Sequence, residues 1–93
     1  MMREHYPNIP RMEVVDEEDL KDIILSPKIS YLYSLNFIQE PFPQGETAIA
    51  RSAKYSFRYA INILNKRFEK GEQVIKNSVY RQSYKEYFKL EDF

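Results

Sequence analysis

From residue 16 onward, apolar side chains recur at the three-and-four spacing of amphipathic helices, and that pattern itself recurs every 26 residues. Behind Ser52, a stripe of Ser56, Tyr59, Ala60, Ile63 and Leu64 marks one face of a long helix. Behind Ser26, the matching stripe is Ser30, Tyr33, Ser34, Phe37 and Ile38. Small residues open both stripes, so another element can approach each helix closely. A shorter helix follows in each copy, over 45–51 and 70–77, with Ile49 and Ile75 inward. An earlier short helix over 17–25 is capped by Asp16 and turns Leu20, Ile23 and Ile24 inward. The predicted order is short, long, short, long, short, long.

Residues 26–51 and 52–77 align without a gap and share nine identities in 26 positions, among them Ser30/Ser56, Tyr33/Tyr59, Gly45/Gly71, Glu46/Glu72 and Ile49/Ile75. Unrelated segments of that length share roughly one or two at average residue usage. Residues 78–93 read as the first half of a third copy slipped by one residue, which puts Tyr84 on Tyr59. Ile23 falls in register with Ile49 and Ile75, so 16–25 read as the second half of a preceding copy. The fold class is therefore all-α: a short helical-repeat bundle of about two full copies flanked by half copies. Units of this kind bury their apolar faces only by stacking on neighbours, and the open ends of so short a stack invite self-association. Residues 1–15, with Pro7 and Pro10 and no periodicity, form an extended N-terminal arm, leaving 16–93 as a single helical-repeat domain.

Local signals punctuate the copies. Ser26 before Pro27 is an N-cap with proline at the first helical position, and Ser52 and Ser78 repeat the cap. Pro41 and Pro43 are expected to stop the first long helix, since proline disfavours helical geometry in the residue before it.

These residues resemble a repeat carried by small proteins of bacteriophages and related viral genomes, S/D-P-x-Y-A-Y-x-Y-A-x-x-V-I-x-G-R-W-P-E-x-E-x-x-I. Ser52 through Ala60 match its opening, and Arg67, Phe68, Glu72 and Ile75 match its later part. In the first copy Ser26-Pro27 and the run from Phe42 to Glu46 fit it. The chain departs where Phe42 and Phe68 stand for tryptophan and Pro41 for the preceding arginine. Covering residues 26 to about 88, the resemblance implies phage or prophage origin, cytoplasmic action in a bacterial host cell and an all-helical fold. It implies no particular chemistry.

Composition narrows the function by exclusion. The chain has no cysteine and one histidine, His5, so thiol chemistry and histidine-based metal or acid–base sites are not expected. No apolar run is long enough to span a membrane. Ser26, Ser52 and Ser78 have no histidine to activate them, Gly45 and Gly71 are isolated turn residues, and no cofactor motif is present. Glu46 and Glu72 recur as acids but sit in the first turn of short helices, where they complement the helix dipole. An enzyme, a cofactor and a metal are all unexpected.

Charge redirects attention to the surface. Fourteen bases cancel fourteen acids, yet residues 1–25 carry a net of −4 and residues 50–89 a net of +7. Tyrosine and arginine are the types enriched at interface hot spots. Eight tyrosines are present, and the expected partner-binding set is Tyr31, Arg51, Lys54, Tyr55, Arg58, Tyr80 and Arg81. The leading expectation is a non-enzymatic phage-type module that docks on a host or defence protein and inhibits or redirects it. The alternative is RNA or single-stranded nucleic-acid binding through the basic segment 50–89, with tyrosines stacking on bases. A structural or assembly role is the third reading.

Overall fold

The computed structural model describes residues 17–93; the expected arm over 1–15 and the Asp16 cap lie outside them. Six α-helices follow in order, with no strand among the described residues: α1 (Glu17–Ile23), α2 (Pro27–Tyr33), α3 (Glu46–Ile49), α4 (Ala53–Tyr59), α5 (Glu72–Lys76) and α6 (Arg81–Tyr87). A π-helical turn prolongs α2 over Ser34–Ile38 and α4 over Ala60–Leu64, and a 3-10 turn leads into α3 (Pro43–Gly45) and α5 (Glu69–Gly71). With their π turns α2 and α4 are longer than α3 and α5, whereas α6, expected to be long, has seven residues, as many as α1. They stack in one direction, to a body of 43 × 22 × 19 Å. No described helix is long and apolar enough to cross a membrane.

The helix starts follow the caps. Ser26 and Ser52 are extended, and their hydroxyls accept from the Ile29 and Tyr55 N–H at 3.2 Å each. Ser78 behaves differently: its Oγ accepts from the Tyr80 N–H at 3.0 Å and donates to the Ile75 carbonyl at 2.8 Å, while α6 starts three residues later. The third serine closes a turn and does not cap a helix.

The helix stops depart from the proline reading. Gln39 and Asn65 follow the two π turns in the left-handed region at φ 60° and 58°, and their backbone N–H groups donate to the Ser34 and Ala60 carbonyls. The second copy has Lys66 and Arg67 where the first has Glu40 and Pro41, yet it stops at the equivalent residue. The wide turn and its left-handed successor therefore end the helix, and the prolines only shape the connector after it. Asparagine tolerates this conformation better than glutamine. Gln39→Asn is thus expected to stabilise the chain by about 0.5 kcal/mol, read as a raised urea midpoint with an unchanged slope.

Burial follows the repeat. Ile23, Ile49 and Ile75 are fully buried at successive short helices, and Tyr59 and Tyr84 are fully buried on the long ones. Each long-helix tyrosine also meets a connector phenylalanine: Tyr33 with Phe42, Tyr59 with Phe68, and Tyr84 with Phe93, at ring separations of 4.9–5.2 Å. Phe93 thus takes the place of Phe42 and Phe68 in the slipped third copy.

The small residues at the head of each stripe serve close approach. Ser30 and Ser56 are fully buried and donate to the Ile23 and Ile49 carbonyls at 2.9 Å, tying each long helix to the short helix before it. Gly45 and Gly71 lie directly against those same serines. In the slipped register Arg81 stands at the position of Ser56, and no short helix follows it among the described residues.

Candidate interaction surface

Two fully described connectors are closed by a tyrosine from the next copy. The Tyr59 hydroxyl accepts from the buried Phe42 N–H and donates to Glu46 Oε2, both at 2.8 Å. One copy later, the Tyr84 hydroxyl accepts from the Phe68 N–H at 2.9 Å and donates to Glu72 Oε2 at 2.7 Å. Burial pushes both phenols well above their usual range, and the adjacent carboxylates add to the shift. Each carboxylate also takes a cation: Lys70 donates to Glu46 Oε1 at 2.8 Å, and Arg67 grips both oxygens of Glu72 through bonds of 2.7 and 2.9 Å. That guanidinium holds the Glu72 carboxyl below the ordinary carboxylate range. Both recurring acids therefore join copies. The sequence reading placed them correctly in the first turn of short helices but did not supply the tyrosine that each one meets.

The expected partner-binding residues divide into three groups. Tyr31 is a correction: it is 3 % exposed and belongs to the core. Its ring lies 5.6 Å from that of Tyr55, and its hydroxyl accepts from Asn62 Nδ2 at 2.8 Å. A helical stripe shows only one inward face, whereas stacking buries a second, and Tyr31 lies on that second face.

Arg51 and Arg81 are exposed but already hold the scaffold. Arg51 donates to the Leu25 carbonyl at 2.7 Å, spanning one loop to the next, and Arg81 donates twice to the Phe93 main-chain oxygen at 3.0 and 2.6 Å. The bond from Arg51 is to a neutral carbonyl, so its guanidinium still contributes positive potential. Tyr80 is half-buried and stacks on Phe57 at 5.5 Å, repeating the Tyr31–Tyr55 pair one copy later.

Lys54, Tyr55 and Arg58 come together on the outside of α4. The ammonium of Lys54 lies 5.4 Å from the Tyr55 ring centre, and the Arg58 guanidinium lies 5.9 Å from it. Cation–π contacts of this kind contribute about 0.5–1 kcal/mol at exposed sites. The tyrosine, backed by Tyr31, thus holds two exposed cations one helical turn apart in a defined arrangement.

The aromatic ladder stops at the third copy. Where Tyr31 and Phe57 offer rings to the next copy, the slipped register places Gln82, which is exposed and donates to Glu86 at 2.9 Å. No group of acidic or histidine side chains able to hold a metal ion occurs among the described residues. Comparisons with protein-family models, curated proteins and solved structures find no match.

Proposed function

We propose that this chain is a non-enzymatic protein-binding module, acting in a phage-infected bacterial cell on a host or defence protein that it inhibits or redirects. The cellular setting rests on the resemblance of residues 26–88 to the phage repeat. The observation that carries the binding role is the α4 cluster, in which Lys54 and Arg58 are displayed on a tyrosine fixed by the core. Large side chains already ordered before association lose less entropy on docking. The absence of a catalytic role is supported by the engagement of Glu46 and Glu72, each held by a tyrosine and a cation within the scaffold.

Nucleic-acid stacking is the weaker reading, because three of the tyrosines it would use are already engaged, although Tyr87 is exposed. Tyr31 is buried, Tyr55 lies against Tyr31 with two cations about its ring, and Tyr80 is stacked on Phe57. The test is affinity capture from bacterial lysate with and without nuclease. A stoichiometric protein partner, retained after nuclease treatment and lost in Lys54→Ala/Arg58→Ala, is expected. Recovery of nucleic acid alone would overturn the reading.

A further inference from the structure

The stack has two edges, and charge separates between them. One edge carries the loops that lead from a short helix into a long one, at 24–26, 50–52 and 77–80. The other carries the connectors from long to short, at 39–45 and 65–71. Residues 23–39, 47–68 and 73–85 contain no Asp or Glu, and these segments cross the first edge. Glu40, Glu46, Glu69 and Glu72 all lie in the connectors or in the first turn after them.

On the first edge Lys28, Arg51, Lys54 and Lys76 gather, with Arg58 one turn further along α4 from Lys54. Lys28 and Lys54 occupy equivalent positions, one residue into α2 and α4. Arg51 reaches across to Leu25 and so sits between the first two loops. Lys76 ends α5 at the third.

Helix stability does not account for this placement. The N-terminus of a helix is its positive end, so a lysine in the first turn is unfavourable there, typically by a few tenths of a kcal/mol or more. Neither α2 nor α4 has an acid in its first turn to offset the lysine. Two successive long helices thus add side-chain cations to an edge where their own dipoles are already positive. Four cations at this edge, with Arg58 one turn behind Lys54, outnumber Asp22 in the last turn of α1 and make a field suited to an anionic ligand.

We infer that the partner of this surface presents an acidic polypeptide segment, laid along the short-to-long edge so that its carboxylates meet successive copies. This inference rests on the protein-binding reading above and names the chemistry of what is bound. A polypeptide is favoured over a nucleic-acid strand because the rings beside these cations, Tyr55 and Tyr80, already pack against Tyr31 and Phe57. Adjacent packed helices lie roughly 8–10 Å apart. Three residues of a polyproline-II segment make one turn and span about 9 Å, so acids at every third residue share one face and match the copies.

The experiment measures fluorescence anisotropy of labelled peptides of roughly twelve residues, long enough to cross the three loops, with the full chain as titrant. One peptide has glutamate at every third position and the other has glutamine there. A single-stranded oligonucleotide and a short duplex are run beside them. The glutamate peptide is expected to bind at least about tenfold more tightly than the glutamine peptide, with affinity falling as salt rises.

Lys54→Glu/Arg58→Glu should weaken that binding by about tenfold or more. Lys66→Glu/Lys89→Glu makes the same change in net charge off this edge and should alter it by less than about twofold. Lys54→Glu alone exchanges a cation–π contact of about 0.5–1 kcal/mol for a first-turn acid of similar worth, so its thermal midpoint should hold while binding falls. A general loss of folding would move both downward.

Equal weakening by the two double variants would overturn the inference, as would tighter binding of either oligonucleotide than of the glutamate peptide. Lysate capture separates the two levels. A protein partner lost in Lys54→Ala/Arg58→Ala, with a glutamate peptide that binds no better than the glutamine peptide, removes the acidic-segment inference and leaves the module standing. No protein captured by the unmodified chain removes the module itself.

Discussion

Gly71→Ala is expected to lower stability by about 3 kcal/mol, at the upper end of what an inserted methyl costs in a packed core. A Cβ built on Gly71 lies against Ser56 Oγ, 2.6 Å from Ser56 Cβ and 2.8 Å from the Phe68 ring. Ser56 cannot withdraw, because its carbon is fixed to α4 and its hydroxyl holds the Ile49 carbonyl. The matching change at Gly45 should cost less. There the nearest atoms are the edge of the Phe42 ring at 2.5 and 2.6 Å, with Ser30 Cβ at 3.0 Å, and a ring edge can swing. Urea midpoints measure both. Ser56→Gly combined with Gly71→Ala relieves the overlap, so the pair should be more stable than the sum of the single losses, a coupling expected only of residues in contact.

Tyr59→Phe is expected to cost about 2 kcal/mol, since it leaves the buried Phe42 N–H without an acceptor and removes a donor from Glu46. The same substitution carries a pH signature. A phenol whose folded pKa lies above its unfolded value stabilises the fold fully below the unfolded value, about 10. That contribution disappears as pH rises through the folded value. Tyr59 and Tyr84 are both raised, so the chain should lose stability on the alkaline side. Removing one of the two phenols should flatten that loss. Denaturant midpoints from neutral pH upward would show it, and an unchanged slope would contradict the geometry of the connector.

Much of the architecture is visible in the sequence because helical spacing and a 26-residue period reinforce each other. Ile49 and Ile75 are inward on both grounds, and Ser26 and Ser52 carry the chemistry of caps. What escapes the sequence depends on how one copy meets the next. Tyr31 reads as a flank residue within its own helix and is buried only when Tyr55 and Asn62 of the following copy arrive. The bond from Tyr59 to Glu46 joins residues of two copies, and nothing in the spacing of either type alone indicates it. The helix stops at Gln39 and Asn65 are set by backbone geometry after a wide turn, whereas the visible prolines lie beyond the stop.

On the surface, the sequence shows the cations but not how they are held. Lys54 and Arg58 share a tyrosine, while Arg51 and Arg81 are tied to main-chain oxygens. The separation of charge between two edges appears only once the loops are seen to lie on alternate sides.

The tyrosine that closes each connector also sets an order in time. Phe42 and Glu46 are completed by Tyr59, and Phe68 and Glu72 by Tyr84, in each case by a residue translated later. As the chain leaves the ribosome, a connector already outside still has its N–H open to water until the next long helix has followed it. Each connector therefore waits for a tyrosine 17 or 16 residues downstream of its open N–H, and the nascent stack exposes one unfinished seam at its growing end.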